Sequence, residues 1–258
     1  MKLLPIGTQS FEILRKSNCI YIDKTQYIYN LTDKGRIYFI SRPRRFGKSL
    51  FINTIEELFK GSKDLFEGLY IYDKWDWEKT NPVIRIDFTE ITYRSVGDLE
   101  FSLIEKLRSA AFKNSLELNN SSLVAQFAEL IEKLHNKYGQ KVVILVDEYD
   151  KPITDILSNR EVLNANKTVL HDFYQVIKGA DEHLQFVFLT GVSKFSGLSV
   201  FSALNNINDI TVNEKYALIC GYTQEDIENS FKEYIELAAQ KIKLSVKGTI
   251  ESVKYWYN

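Results

Sequence analysis

The chain has 258 residues, 45% of them hydrophobic and 26% charged, with a formal charge of −1. That balance supplies a sizeable core and gives no whole-chain reason to expect a nucleic-acid or membrane partner. Cys19 and Cys220 stand far apart in no metal or disulfide pattern, which suits a reducing compartment and two buried, apolar-like thiols. The start MKLLPIGTQSF has one lysine and is broken by Pro5 and Gly7, and no apolar run reaches the roughly 18 residues of a spanning helix. The expectation is a cytoplasmic protein.

Along the chain, four short apolar runs read as strands: 36–41 (RIYFIS), 83–88 (VIRIDF), 142–146 (VVILV) and 186–190 (FVFLT). Apolar residues in continuous series mean strands covered on both faces. Helical spacing recurs at 49–59, 99–112, 122–137 and 163–177. Strands alternating with helices predict an α/β fold, a three-layer sandwich around a mostly parallel sheet. With four prolines and no linker or repeat, residues 1–221 read as one principal domain, of which 1–35 form an N-terminal extension. Thr223-Gln224-Glu225-Asp226 then resembles a capping box opening an amphipathic helix through Leu237 or beyond. Residues 222–258 read as a helical lid or the start of a second domain.

The first predicted strand runs into Arg42-Pro43-Arg44-Arg45-Phe46-Gly47-Lys48-Ser49-Leu50. It ends like the phosphate loop G-x-x-x-x-G-K-[ST], but Arg42 stands at the first glycine. A strand before and a helix after are the context such a loop needs. Loop and helix N-terminal amides face phosphates, Lys48 places its ammonium near the β and γ groups, and Ser49 offers a hydroxyl to Mg²⁺. The plainer reading is a basic turn with a lysine in solvent. Pro43 pushes Arg42 toward an extended conformation, so the loop can begin differently and keep the same end. Arg42, Arg44 and Arg45 contact phosphates, pair with acids such as Asp150, or touch nucleic acid.

VVILVDEYD places Asp147 and Glu148 at the C-terminal end of a buried strand, where open α/β sheets bind ligands. Asp147 suits the Mg²⁺ shell and Glu148 the orientation of an attacking water; a solvated strand end is the plain alternative. Among P-loop NTPases the pair selects the class that carries its catalytic glutamate on the metal-binding strand. In that group a polar residue ends the strand between the other two and senses the γ-phosphate. Thr190 and Ser193 are the candidates, each equally readable as a cap or turn hydroxyl. Gly191 and Gly197 read as turn-shaping. His135, His171 and His183 share no spacing and read as structural, and the aromatic end KYWYN reads as packing.

LPIGTQSFEILRKSNCIYIDKT, FISRPRRFGKSL, LVDEYDKPI, LTGVSKFSGLSVFSALNNINDIT and CGYTQEDI together resemble the bacterial AAA-ATPase-like family, which usually precedes a PD-(D/E)XK nuclease-like domain. The resemblance runs from about residue 3 to the end. It implies a loop written R-P-R-R-F-G-K-S, phosphates and Mg²⁺ on Lys48 and Ser49, Asp147 as metal-side acid, Glu148 as catalytic base, and ATP as the nucleotide. No guanine-reading N-K-x-D occurs. Tyr21 to Thr25 is a family signature, with Asp23 and Lys24 either near the nucleotide or part of the scaffold. Implied partners are further copies of the chain and nucleic acid reached through the nuclease-like domain. This sequence stops at Asn258 without nuclease-type acids, and so reads as a truncated form or a degenerate gene product. Two rivals stand beside the ATPase: a nucleotide switch with negligible hydrolysis, and a nucleic-acid binder using the patch from Arg42 to Lys48.

Overall fold

A strand with no polar residue facing outward must lie between two layers. The computed structural model, which describes residues 1–193 and 206–257, has that arrangement. Every residue of β1 (Ile37–Ser41) and β3 (Val142–Asp147) is buried. With β2 (Val83–Asp87), β4 (Leu184–Gly191) and the two-residue β5 (Asn208–Asp209) they form a sheet in the order β2-β3-β4-β1-β5. All neighbouring pairs are parallel. This is the P-loop NTPase-like α/β fold expected, and the strand ending at Thr190 and Gly191 does lie between the loop strand and the acidic strand.

Side chains alternate across the sheet. Tyr38, Ile40, Leu145, Phe186 and Phe188 face α3 (Lys48–Phe59) and meet its Phe51, Ile52, Ile55 and Leu58. The opposite face packs on α4 (Asp98–Lys113), α5 (Leu123–Tyr138) and α7 (Arg160–Gly179) through Leu103, Leu130 and Phe173. The helices predicted at 49–59, 99–112, 122–137 and 163–177 are found within a few residues of their expected bounds, and the short α6 (Lys151–Thr154) adds one turn after the acidic strand.

The N-terminal stretch holds two helices, α1 (Phe11–Lys16) and α2 (Thr25–Lys34). Ser10 caps α1, and the Phe11 amide donates to the Asn53 Oδ1 on α3 at 2.6 Å. Asp23 accepts from the Thr25 amide and hydroxyl at 2.8 and 2.7 Å, and from the Tyr70 amide at 2.7 Å. Its carboxylate therefore starts α2 and pins the segment crossing beneath it.

At the other end the capping box forms as expected, with Thr223 and Asp226 in reciprocal bonds. The helix does not run on to Leu237. It breaks at Phe231 (φ −108°, ψ 13°), where the ring packs on Tyr222 with centroids 5.4 Å apart, giving α8 (Gln224–Ser230) and α9 (Lys232–Ile242). A final helix, α10 (Val246–Tyr257), follows. None of the described helices is long and apolar enough to cross a membrane.

Leu145 on β3 is fully buried whereas Leu237 on α9 is 47% exposed. Leu145→Ala is expected to lower unfolding free energy by about 2–5 kcal/mol and Leu237→Ala by about 0.5 kcal/mol or less; denaturant titration of the two variants checks the contrast.

Candidate functional site

Parallel strands deliver all their C-terminal ends to one edge of the sheet, and there β1 passes into the loop before α3. Gly47 closes the loop at φ 87°, a conformation that glycine adopts freely. Arg45 also lies at positive φ, 68°. The first bond of α3 runs from the Phe51 amide to the Gly47 carbonyl at 3.0 Å. The amides of Lys48, Ser49 and Leu50 therefore stand ahead of the helix ladder, in the place where a helix holds anions. Ser49 is half-buried beside them.

Lys48 is only 4% exposed. Its ammonium donates to the Arg42 and Pro43 carbonyls at 3.1 and 3.2 Å and lies 3.4 Å from Glu148 Oε1. Glu148 sits at φ 53°, left-handed for a non-glycine residue, a strained state that persists only where its surroundings hold it. The two residues singled out on separate motifs thus meet.

Asp147 is 1% exposed. Its Oδ1 accepts from the Thr190 hydroxyl at 2.5 Å and the Glu148 amide at 3.1 Å, and its Oδ2 is buried with no partner. An orphaned carboxylate oxygen in a dry place is unfavourable. Such an oxygen has the chemistry to hold a hydrated Mg²⁺, which takes one or two protein oxygens and completes its shell with water and phosphate. Among the described residues no group of three or more His, Cys, Asp or Glu is arranged to hold a metal without such help.

The next two residues of the motif hold the end of β4. The Tyr149 amide donates to the Thr190 carbonyl at 3.0 Å, and its hydroxyl to the Ser193 carbonyl at 3.1 Å. Asp150 takes the Ser193 amide at 2.7 Å and the Val192 amide at 3.2 Å. Asp150 therefore serves the backbone, and pairing with a loop arginine, one of the readings above, is not what this carboxylate does. Gly191 is more than a turn former: a Cβ there would lie 2.2 Å from the Tyr149 ring. Ser193 is brought to the site by its backbone, while Gly197 lies outside the described residues.

The arginines part company. The Arg42 guanidinium turns inward and donates to the carbonyls of Ser41 at 2.9 Å, Thr211 at 2.8 Å and Tyr216 at 3.1 Å. It ties the start of the loop to the segment after β5. Arg44 is 69% exposed and 3.9 Å from Asp155. Arg45 and Phe46 border a cavity of about 280 Å³ between the loop, Tyr21 to Lys24, and Ile219 to Tyr222. The cavity wall is mostly apolar, and burial pushes the thiol of Cys220 there up to about 11. Both cysteines are free and half-buried.

Lys24 reaches from the N-terminal extension to Asp226 on α8 at 3.0 Å, and the same Asp226 oxygen accepts the Thr223 amide at 2.8 Å. Of the signature residues Tyr21 to Thr25, Asp23 and Thr25 are thus scaffold, and Lys24 is both a strut and part of the cavity wall.

One acid escaped the sequence reading. β2 ends at Asp87, directly in register with Asp147. Its signal was present in VIRID, an apolar run closed by an aspartate like VVILVD.

Residues 5–201 match the family described as Predicted AAA-ATPase. The chain belongs to the AAA-ATPase-like family. Among its relatives is a protein of Azotobacter chroococcum mcd 1 named as an uncharacterized protein in the vnfD 5′ region. It is 45% identical over 231 residues, which cover 89% of this chain and 45% of that protein. The AAA-ATPase-like chain therefore spans less than half the length of this relative.

In this AAA-ATPase-like chain burial opposes the charge on Asp226, but the Thr223 bonds and Lys24 outweigh it and hold the carboxyl below its ordinary 3.8. A lowered folded value stabilises above the ordinary value and is lost as pH falls through the folded one. The stability difference between the unmodified chain and Asp226→Asn is thus expected to be positive near neutral pH and to vanish as pH drops below 3.8; thermal unfolding of both across acid pH measures it.

Proposed function

We propose that the chain binds ATP with Mg²⁺ and hydrolyses it. The observation that supports this best is the meeting of Lys48, Glu148, Asp147 and Thr190 at the C-terminal edge of β1, β3 and β4, with the Lys48 ammonium 3.4 Å from Glu148. The phosphates take the amides of Gly47, Lys48, Ser49 and Leu50. Lys48, now held by two loop carbonyls, transfers its ammonium to the β and γ oxygens, where a charge-assisted contact is stronger than one to a neutral carbonyl. Its departure frees Glu148 to orient and polarise the attacking water. Ser49 and Asp147 Oδ2 would hold Mg²⁺, which would supply positive charge to the β- and γ-phosphates. Thr190, bonded to Asp147, stands beside the γ-phosphate position as its sensor, with Ser193 on the following turn.

The mostly apolar cavity beside the loop takes the base, with Lys24, Arg45 and Phe46 at its rim. Adenine is assigned from the family together with the lack of a guanine-reading N-K-x-D. The Lys24–Asp226 pair and the cavity wall at Ile219 to Tyr222 support residues 222–258 as a lid on the domain of residues 1–221. In a longer protein the same cycle would gate a nuclease-like effector, as the family resemblance implies; the Azotobacter relative, of which the match covers 45%, has length for a further domain.

A nucleic-acid patch from Arg42 to Lys48 is the weaker reading. Arg42 is spent on three carbonyls and Lys48 is 4% exposed, which leaves Arg44 and Arg45 as its outward cations.

The test is nucleotide binding and turnover by purified protein. Lys48→Ala is expected to weaken ATP binding by at least about tenfold, about 1.4 kcal/mol. Glu148→Gln is expected to keep binding and to slow turnover by about 10²–10⁴-fold. Unchanged affinity in Lys48→Ala defeats the site assignment, and full turnover in Glu148→Gln defeats the assigned base.

A further inference from the structure

Alternate residues of β2 share the face that meets α3, and its polar members form a row. Arg85 Nη1 bonds Glu56 Oε2 on α3 at 3.1 Å, and Arg85 Nη2 lies 3.7 Å from Asp87 Oδ2. Asp87 itself is 7% exposed. Its Oδ1 accepts the Thr89 amide at 2.9 Å and the Thr89 hydroxyl at 2.6 Å, capping the turn Phe88–Glu90. Its Oδ2 has Arg85 alone, beyond hydrogen-bond length, and Arg85 is already bonded to Glu56.

Residues in register on neighbouring parallel strands point to the same side, with strands about 4.8 Å apart. Asp87 is paired in register with Asp147, and Val146 with Leu189. The row at the C-terminal edge is therefore Asp87, Asp147, Thr190. Two buried carboxylates stand side by side, next to Glu148. Lys48 lies against Glu148, and Arg85 is divided between Glu56 and Asp87. Like charges at this spacing in a dry environment repel and favour a cation between them. The unpartnered, fully buried Asp147 Oδ2 is an independent sign that a ligand belongs there.

We propose that Asp87 is a second acidic residue of the cation site, taking a water of the Mg²⁺ shell on the β2 side while Asp147 takes the β3 side. The assignment rests on the nucleotide reading above. It gives β2 a part in the site.

Asp87→Asn keeps the Oδ1 acceptor for the Thr89 turn and removes only the charge. The measurement is nucleotide affinity of the full chain by calorimetry, with Mg²⁺ and with EDTA. The unmodified chain is expected to bind ATP more tightly with Mg²⁺. In Asp87→Asn that gain should shrink about 10–100-fold, the usual loss when an outer-shell metal partner is removed, with EDTA affinity unchanged. Glu56→Gln, which removes the charge of the other partner of Arg85, should retain the full gain. Should Asp87→Asn lower the melting temperature, Asp87→Ser, which keeps a short acceptor for the Thr89 amide, is expected to show the same loss. An undiminished Mg²⁺ gain in the Asp87 variants overturns this proposal and leaves the nucleotide reading standing. Equal losses in Glu56→Gln also overturn it, since the effect then travels through Arg85. No ATP binding by the unmodified chain in either condition overturns both.

Discussion

All the polar groups of the site reach one place because every strand of the sheet runs the same way. A parallel sheet puts the C-terminal ends of β1, β2, β3 and β4 on one edge, and with them the loop after Ser41, then Asp87, Asp147 and Thr190. Nothing local to those segments would bring them together, since Asp87 and Thr190 are separated by more than a hundred residues of chain. The apolar residues that make the strands fit only between two helical layers are therefore also what assembles the polar row.

Given that edge, the dominant electrostatic fact is a buried ammonium. Lys48 is sunk among two carbonyls and Glu148, and a buried charge is tolerated only when partnered. Its partners here are the groups that phosphate binding would release: the loop backbone, and the carboxylate assigned to water. The site is poised rather than empty of interactions, and a phosphate has to offer Lys48 more than the loop and Glu148 already do. The αL backbone of Glu148 and the close fit of Gly191 on Tyr149 keep the acidic strand and the β4 turn in one fixed relation while that exchange occurs.

Much of this was legible in the residues. Continuous apolar runs announced the strands, and the glycine-lysine-serine after one and the aspartate-glutamate after another do come together at the sheet edge. What stayed hidden depends on contacts between segments distant in sequence. Arg42 looked like a phosphate ligand beside Lys48, yet its guanidinium closes on Thr211 and Tyr216, some 170 residues on. Asp150 looked like a partner for cations and instead caps backbone amides near Ser193. Asp87 ends its strand as Asp147 does, but only the register of β2 on β3 gives it a place. The amphipathic pattern after Thr223 runs smoothly past Phe231, where the helix breaks and that ring packs on Tyr222.

The account turns on whether the loop before α3 is a phosphate cradle. Backbone hydrogen exchange of the full chain, with and without saturating Mg²⁺ and ATP, asks this of the amides themselves. The account predicts that exchange slows at Gly47, Lys48, Ser49 and Leu50, because amides now ahead of the helix ladder acquire phosphate acceptors. Binding of ATP that leaves the exchange of those four amides unchanged would contradict it.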